Sequence, residues 1–133
     1  MYAHAKQRDM ERRIKTLFDE VDHALEDAWA GEFMLHPNRP ARGETWNPEM
    51  DGLFELGADF TPGLGSEHGR GYLVNLRVAT LERVPNERLE AFMSQAAELI
   101  REKLPRHFPE RSLEVVRDGR RFKLVGDFSL GST

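Results

Sequence analysis

Residues 113–124 read LEVVRDGRRFKL, two runs of alternating apolar and polar side chains on either side of Asp118-Gly119. An Asp-Gly pair between such runs is typical of a two-residue β-hairpin loop with a type I′ turn. With this pair at the turn, Val115 lies opposite Phe122 on one face, and oppositely charged side chains meet on the other face. The segment is therefore predicted to form a hairpin with one apolar face.

Two amphipathic helices are predicted upstream of this hairpin. Apolar residues recur at three- and four-residue steps over 10–29, just before Gly31, and again over 89–104. This spacing places the apolar side chains of each helix on one stripe that faces the core. Pro105 and Pro109 are expected to end the second helix, because proline has no backbone N–H to donate.

Between the two helices the apolar spacing changes to two, which predicts β-strands. The alternation runs over 54–60 and again over 72–78. Prolines and glycines mark the segment 36–50 as a proline-rich loop and the segment 61–71 as a glycine-rich loop. A short apolar run at 33–35 is expected to add one further brief strand.

The order of these elements, α-β-β-α-β-β, predicts the fold class. We expect a single α+β domain over residues 1–133, with a mainly antiparallel sheet and both helices on one face of it. The length of 133 residues fits one domain with its own core. The opposite face of the sheet is of mixed polarity and is predicted to remain uncovered.

Composition excludes several classes of function. The chain has no cysteine, which removes disulfides, thiolate zinc sites, iron–sulfur clusters and cysteine nucleophiles. It lacks an apolar leader and a run of about eighteen apolar residues, so neither a signal peptide nor a membrane span is predicted. A net charge of -4 argues against general nucleic-acid binding. We expect a cytoplasmic protein without a cofactor, metal or membrane partner.

Charges of opposite sign are concentrated in different parts of the chain. Acidic residues fill the second half of the first helix, and basic residues gather around the end of the second helix and the final hairpin. Glu20 and His23 have the Glu-x-x-His spacing of di-iron sites, but His23 points away from the apolar stripe, so a solvated acidic face is expected. The segregation predicts charge complementarity, either within the fold or between two subunits.

Two sets of residues are candidate binding sites. The loops 36–50 and 61–71 could together line the pocket of a small enzyme or of a ligand-binding domain. The residues expected to contact the ligand there are His36, Arg39, His68 and Arg70. The glycine-rich loop itself runs from strand to strand, unlike phosphate-binding loops, and is interpreted as a connection. A basic patch on the final hairpin is a candidate for binding phosphate or nucleic acid, and it consists of Arg117, Arg120, Arg121 and Lys123.

In the order of its elements the chain resembles the type III secretion chaperone family. The resemblance rests on the helix that reaches Trp29, the strand 72–78, the helix from Asn86 and the hairpin 113–124. It covers most of the chain through this order alone and through no specific motif. It implies a small, acidic, cytoplasmic homodimer that binds another protein.

The leading functional hypothesis is a non-catalytic, chaperone-like protein-binding module that forms a homodimer. The absence of a catalytic motif, the segregated charges and the mixed sheet face favour it, and an open strand edge would offer a route for β-augmentation. The alternatives are a small enzyme or ligand-binding domain that uses the two loops, and a nucleic-acid-binding protein that uses the basic hairpin.

Overall fold

The computed structural model describes residues 2–63 and 69–126 of the chain. These residues form two α-helices, four β-strands and one short 3₁₀ helix. In chain order the elements are α1 (Tyr2–Trp29), the 3₁₀ helix (Pro48–Met50), β1 (Phe54–Thr61), β2 (Gly71–Val78), α2 (Asn86–His107), β3 (Leu113–Asp118) and β4 (Arg121–Gly126). The predicted α+β class and the order α-β-β-α-β-β are confirmed.

The four strands form one antiparallel sheet in the order β1-β2-β4-β3. β1 and β2 pair along their whole length, from Phe54 opposite Val78 to Thr61 opposite Gly71. The contact between β2 and β4 is short and joins the two hairpins through Tyr72 opposite Leu124. β1 and β3 are consequently the two edges of the sheet.

Both helices pack on the same face of the sheet, as predicted. The centre of the core is formed by fully buried side chains from α1, α2 and three strands: Leu17, Val21, Leu25, Phe54, Val74, Phe92, Ala96, Ile100 and Leu124. Phe92 of α2 contacts Phe54, Trp29 and Phe33 edge-to-face, with ring centroids 5.2–6.3 Å apart. This arrangement fastens α2, the end of α1 and the start of β1 to one another.

The predicted register of the final hairpin was wrong by two residues. Val115 lies opposite Leu124, and the residues at the turn are Gly119 and Arg120. Gly119 has a φ of +66°, whereas Arg120 has a negative φ. A type I′ turn requires positive φ at both central residues, so the turn matches type II′ with glycine first. The apolar face is unchanged because a shift of two residues preserves the alternation.

The end of α2 and the predicted strand at 33–35 also differ from expectation. α2 continues through Pro105 to His107. The missing proline N–H is tolerated because it falls in the last turn, which closes when Phe108 N–H donates to Leu104 O at 2.8 Å. The run 33–35 is not a strand; Phe33 packs against the core instead.

Within residues 2–63 and 69–126, no helix combines the length and the apolar character needed to cross a membrane.

Candidate functional site

The first half of edge strand β1 is covered by two carboxyl groups from α1. Phe54 N–H donates to Glu26 Oε1 at 2.9 Å, and Leu56 N–H donates to Asp22 Oδ2 at 3.3 Å. Asp22 and Glu26 are one helical turn apart, and Phe54 and Leu56 are alternate residues on the strand. The spacing of the helix therefore matches the spacing of the outward-facing N–H groups.

These two carboxyl groups correct the expectation of a solvated acidic face. Asp22 is 1% exposed and Glu26 is 3% exposed, while His23 is exposed as predicted. A sequence signal was present, because Asp22 follows Phe18 of the apolar stripe by four residues and so lies at its border. The solvated face was expected because His23 points away from the apolar stripe, and that position does not determine the environment of Asp22.

The environment of Asp22 favours its neutral form. Burial raises the pKa of the Asp22 carboxyl to about 8, and the negative charges of Glu26 and Asp19 add to the effect. The hydrogen bond from Leu56 N–H and the positive charge of Arg39 act in the opposite direction and are outweighed. At pH 7 the protein therefore holds a protonated acid against the edge strand.

Arg39, a predicted ligand-binding residue, is used to organise the proline-rich loop. Its guanidinium donates to the carbonyl oxygens of four residues at 2.7–3.2 Å: Glu49, Asp51, Gly52 and Phe54. The loop is also held by the buried Asp51 carboxylate, which accepts from the backbone N–H and the hydroxyl of Thr45. The segment 36–50 is therefore ordered, and Arg39 has no free donor pair to offer a ligand's carboxylate or phosphate.

The four predicted ligand-binding residues do not converge in the described structure. His36 lies at the base of the β1–β2 hairpin, where its N–H donates to Ala79 O, whereas Arg70 is exposed at the tip. Eight-residue strands separate the two ends, a distance of roughly 25 Å. A cavity of about 450 Å³ is lined by His36 and Arg39 but by no described residue of the glycine-rich loop. His68 lies outside the described residues.

The predicted basic patch is divided by the fold. Lys123 is 1% exposed, and its ammonium group donates to Asp118 and to Gly69 O. Arg117 forms an ion pair with Glu90 at 2.7 Å and lies over the Phe122 ring. Arg121 donates to Asn75, and Arg120 is exposed. The four side chains consequently do not present one continuous cationic surface.

The predicted charge complementarity is satisfied within the fold. Glu20 of α1 lies beside the cationic side chains of Lys103 and Arg106 and the imidazole of His107, all from the end of α2. Asp27 pairs with Arg42 at 2.7 Å, and Glu32 pairs with Arg88. Much of the segregated charge thus joins the two helices and the loop to each other within the fold.

The second half of β1 is open. Because the N–H groups of Phe54 and Leu56 point away from β2, those of Ala58 and Phe60 point the same way. Among residues 2–63 and 69–126, no group accepts a hydrogen bond from either of them. A groove of about 300 Å³ runs beside them and is lined by Ile14 and Phe18 of α1. This part of the edge can therefore receive a further strand.

Large exposed apolar side chains accompany the open edge. Phe60 is 59% exposed and contacts Tyr72 edge-to-face. Trp46 is 93% exposed, and it precedes the 3₁₀ helix that packs against β1 and carries the exposed Met50. The other sheet edge differs, since Arg101 donates to Val115 O of β3 through two nitrogens. The open half of β1 is consequently the more accessible apolar edge.

The described parts of the chain, 2–63 and 69–126, contain no group of three or more His, Asp or Glu side chains arranged to hold a metal ion.

Comparison with known proteins gives a family and a relative. No solved structure matches the chain significantly. A Borreliella burgdorferi protein described as "Uncharacterized protein" is 39% identical over 109 residues, which make up 82% of this chain and 85% of that protein. A family model described as "Uncharacterised protein" matches residues 5–126. Because this match includes all four strands and nearly all of both helices, the chain belongs to that family.

Proposed function

We propose that the chain is a cytoplasmic protein-binding module, non-catalytic, that receives an extended segment of its partner at the open half of β1. The observation that carries this proposal is the contrast along one strand. The N–H groups of Phe54 and Leu56 are occupied by buried carboxyls, whereas those of Ala58 and Phe60 have no acceptor among the described residues and lie beside a groove lined by Ile14 and Phe18.

Strand addition suits this edge on physical grounds. An added strand gains main-chain hydrogen bonds from Ala58 and Phe60, and alternate side chains can enter the groove. Natural proteins usually protect exposed edges with charges, bulges or covering elements. Among the described residues, a covering hydrogen-bond partner is present only at the first half of β1, so the second half is consistent with use as a binding surface.

The exposed aromatic and thioether side chains support the same surface. Tryptophan, phenylalanine and methionine are enriched at the centres of protein interfaces, where they contribute much of the binding free energy. Trp46, Met50 and Phe60 all belong to β1 or to the loop that packs on it. The loop pocket and the basic hairpin have less support, because Arg70 lies far from His36 and Arg39, and because Arg117, Arg121 and Lys123 have partners within the fold.

Site-specific photo-crosslinking in the source organism tests the proposal. A photoreactive phenylalanine analogue would replace Phe60, and in a second strain it would replace Glu102, which is exposed on α2. We expect a discrete crosslinked protein with the analogue at position 60 and none at position 102. Equal crosslinking at both positions, or none at position 60, would refute binding at this edge.

A further inference from the structure

Resting on the proposed function, the geometry points to a partner segment from a different protein in which apolar and basic side chains alternate. The segment adds antiparallel to β1 and forms hydrogen bonds with Ala58 and Phe60. Its apolar side chains enter the groove beside α1, and its basic side chains meet the carboxylates that border the groove. A second copy of the same chain is not expected to bind at this part of β1.

The charge around the groove favours a basic segment. Three carboxylates line it, from Glu11, Glu49 and Asp59, against one ammonium group, from Lys15. Lys15 is already engaged, because it lies 2.6 Å from both Asp19 Oδ1 and Asn47 Oδ1 and 3.7 Å from Glu49 Oε1. The border therefore presents a net negative charge to any incoming strand, and complementary potentials steer and orient binding.

The position of Glu49 depends on a glycine in β1. A Cβ atom added at Gly57 would lie 2.6 Å from Glu49 Oε2. The absence of a side chain at Gly57 thus allows the Glu49 carboxylate to rest against the strand immediately before Ala58. The carboxylate is thereby placed where the side chain of an added strand would pass.

The alternation of apolar and basic residues in the partner segment follows from the different side chains on the two faces of the sheet edge. Successive side chains of a strand point to opposite faces of the sheet. On the helix side an added strand meets the apolar side chains of Ile14, Phe18 and Phe60, together with the charged side chains of Glu11 and Lys15. On the other side it meets three carboxylates, from Glu49, Glu55 and Asp59, and the guanidinium of Arg77, which pairs with Glu55 at 3.4 Å. A segment that fits both sides needs an apolar residue followed by a basic one.

Three antiparallel registers pair Ala58 or Phe60 of one copy with Ala58 or Phe60 of a second copy, and each is disfavoured. Pairing Ala58 with Phe60 of a second copy sets Asp59 directly opposite its own equivalent, where like charges destabilise the pair. Pairing Phe60 with itself sets Ala58 opposite Pro62, which has no N–H to donate. Pairing Ala58 with itself sets Phe60 opposite Leu56, whose N–H is already bound by Asp22. The homodimer expected from the sequence would therefore need another surface.

Amide NMR titration of the full chain with two short synthetic peptides tests the inference. In one peptide lysine alternates with valine, and in the other glutamate replaces every lysine. We expect the lysine peptide to bind about tenfold more tightly at low salt, since its charge pairs become repulsive in the other peptide. The shifted resonances should centre on Ala58 and Phe60.

Two variants of the edge separate backbone pairing from charge. Ala58→Pro removes the outward N–H, and it is compatible with folding because proline is tolerated on edge strands with N–H facing solvent. It should weaken the lysine peptide about tenfold. The double variant Glu49→Gln, Asp59→Asn should weaken it about fivefold. Phe60→Ser, which removes an exposed apolar side chain without adding a charge, is the second test if Ala58→Pro fails to fold, and it should also weaken the lysine peptide. Arg117→Pro on the β3 edge is the matched control and should bind normally.

The outcomes distinguish this inference from the proposed function. Equal binding of both peptides, or tighter binding of the glutamate peptide, overturns the alternating basic segment, while crosslinking at position 60 would still support a protein partner. A crosslinked product of twice the chain mass would show a second copy at the edge and overturn the inference. Loss of both the crosslink and the peptide binding overturns both.

Discussion

Replacing Asp22 with asparagine is expected to stabilise the protein, by an amount that increases with pH. The carboxyl group is buried beside the charges of Glu26 and Asp19, and its pKa rises from 3.8 to about 8. Asparagine keeps an oxygen that can accept from Leu56 N–H, but it carries no ionisable proton. The substitution therefore removes the cost of holding this acid in the fold while retaining the hydrogen bond.

The magnitude follows from the two pKa values. Because the folded pKa lies above the unfolded one, the folded protein holds a proton between pH 4 and 8 that the unfolded chain has released. The free energy of unfolding of the wild type then falls by about 1.4 kcal/mol for each pH unit in this window and is level outside it. Relative to wild type, D22N should gain about 2 kcal/mol at pH 5 and on the order of 5 kcal/mol at pH 8.

Urea denaturation followed by circular dichroism between pH 5 and 9 measures this difference. Other titrating groups contribute to both proteins, so the gap between the two curves isolates Asp22. Asp27→Asn is the matched control, because Asp27 is an exposed carboxylate on the same helix, and its gap should not widen with pH. Parallel curves for wild type and D22N would mean that Asp22 is ionised in the fold and would refute the reasoning.

Three further substitutions test the packing of the loop, the hairpin and the helices, each by urea denaturation at pH 7. Arg39→Ala should lower the free energy of unfolding by about 3 kcal/mol, because the carbonyl oxygens that accept hydrogen bonds from the guanidinium would lose their donor. An unchanged urea midpoint would contradict the structural role of Arg39. Gly119→Ala should cost about 1 kcal/mol because φ is +66° there, whereas Gly31→Ala, which meets nothing within 4 Å, should be neutral. Glu20→Gln should cost about 1 kcal/mol in low salt and less in high salt, and salt-independent loss would exclude an ionic origin.

The elements and their buried faces could be predicted because periodicity determines both. The stripe on α1 and the alternation at 54–60 and 72–78 assign each segment its structure and its inward side. The hairpin register could not be predicted from the same pattern, because registers that differ by two residues bury the same faces. Only the backbone preference of Gly119 for positive φ separates them, and Asp118-Gly119 is compatible with more than one placement.

The site required information that local patterns do not contain. Asp22 and Glu26 are buried because an edge strand remote in sequence brings two N–H groups to them. Arg39 likewise attracted a ligand-binding hypothesis as a loop cation, yet its partners are carbonyl oxygens that converge only once the loop has folded. In each case the partner is a backbone N–H or carbonyl group. The direction of such a group depends on the folded backbone and cannot be predicted from the residue type.

Amide hydrogen exchange offers a test of the open edge that needs no partner. The outward N–H groups of Phe54 and Leu56 are bound by buried carboxyls, so they should exchange slowly, near the rate set by global unfolding. The N–H groups of Ala58 and Phe60 lie on the same strand with the same orientation but find no acceptor in the described parts of the chain, so they should exchange much faster. If Ala58 exchanged as slowly as Leu56, the second half of β1 would already be covered, and the reason for placing a partner strand there would be lost.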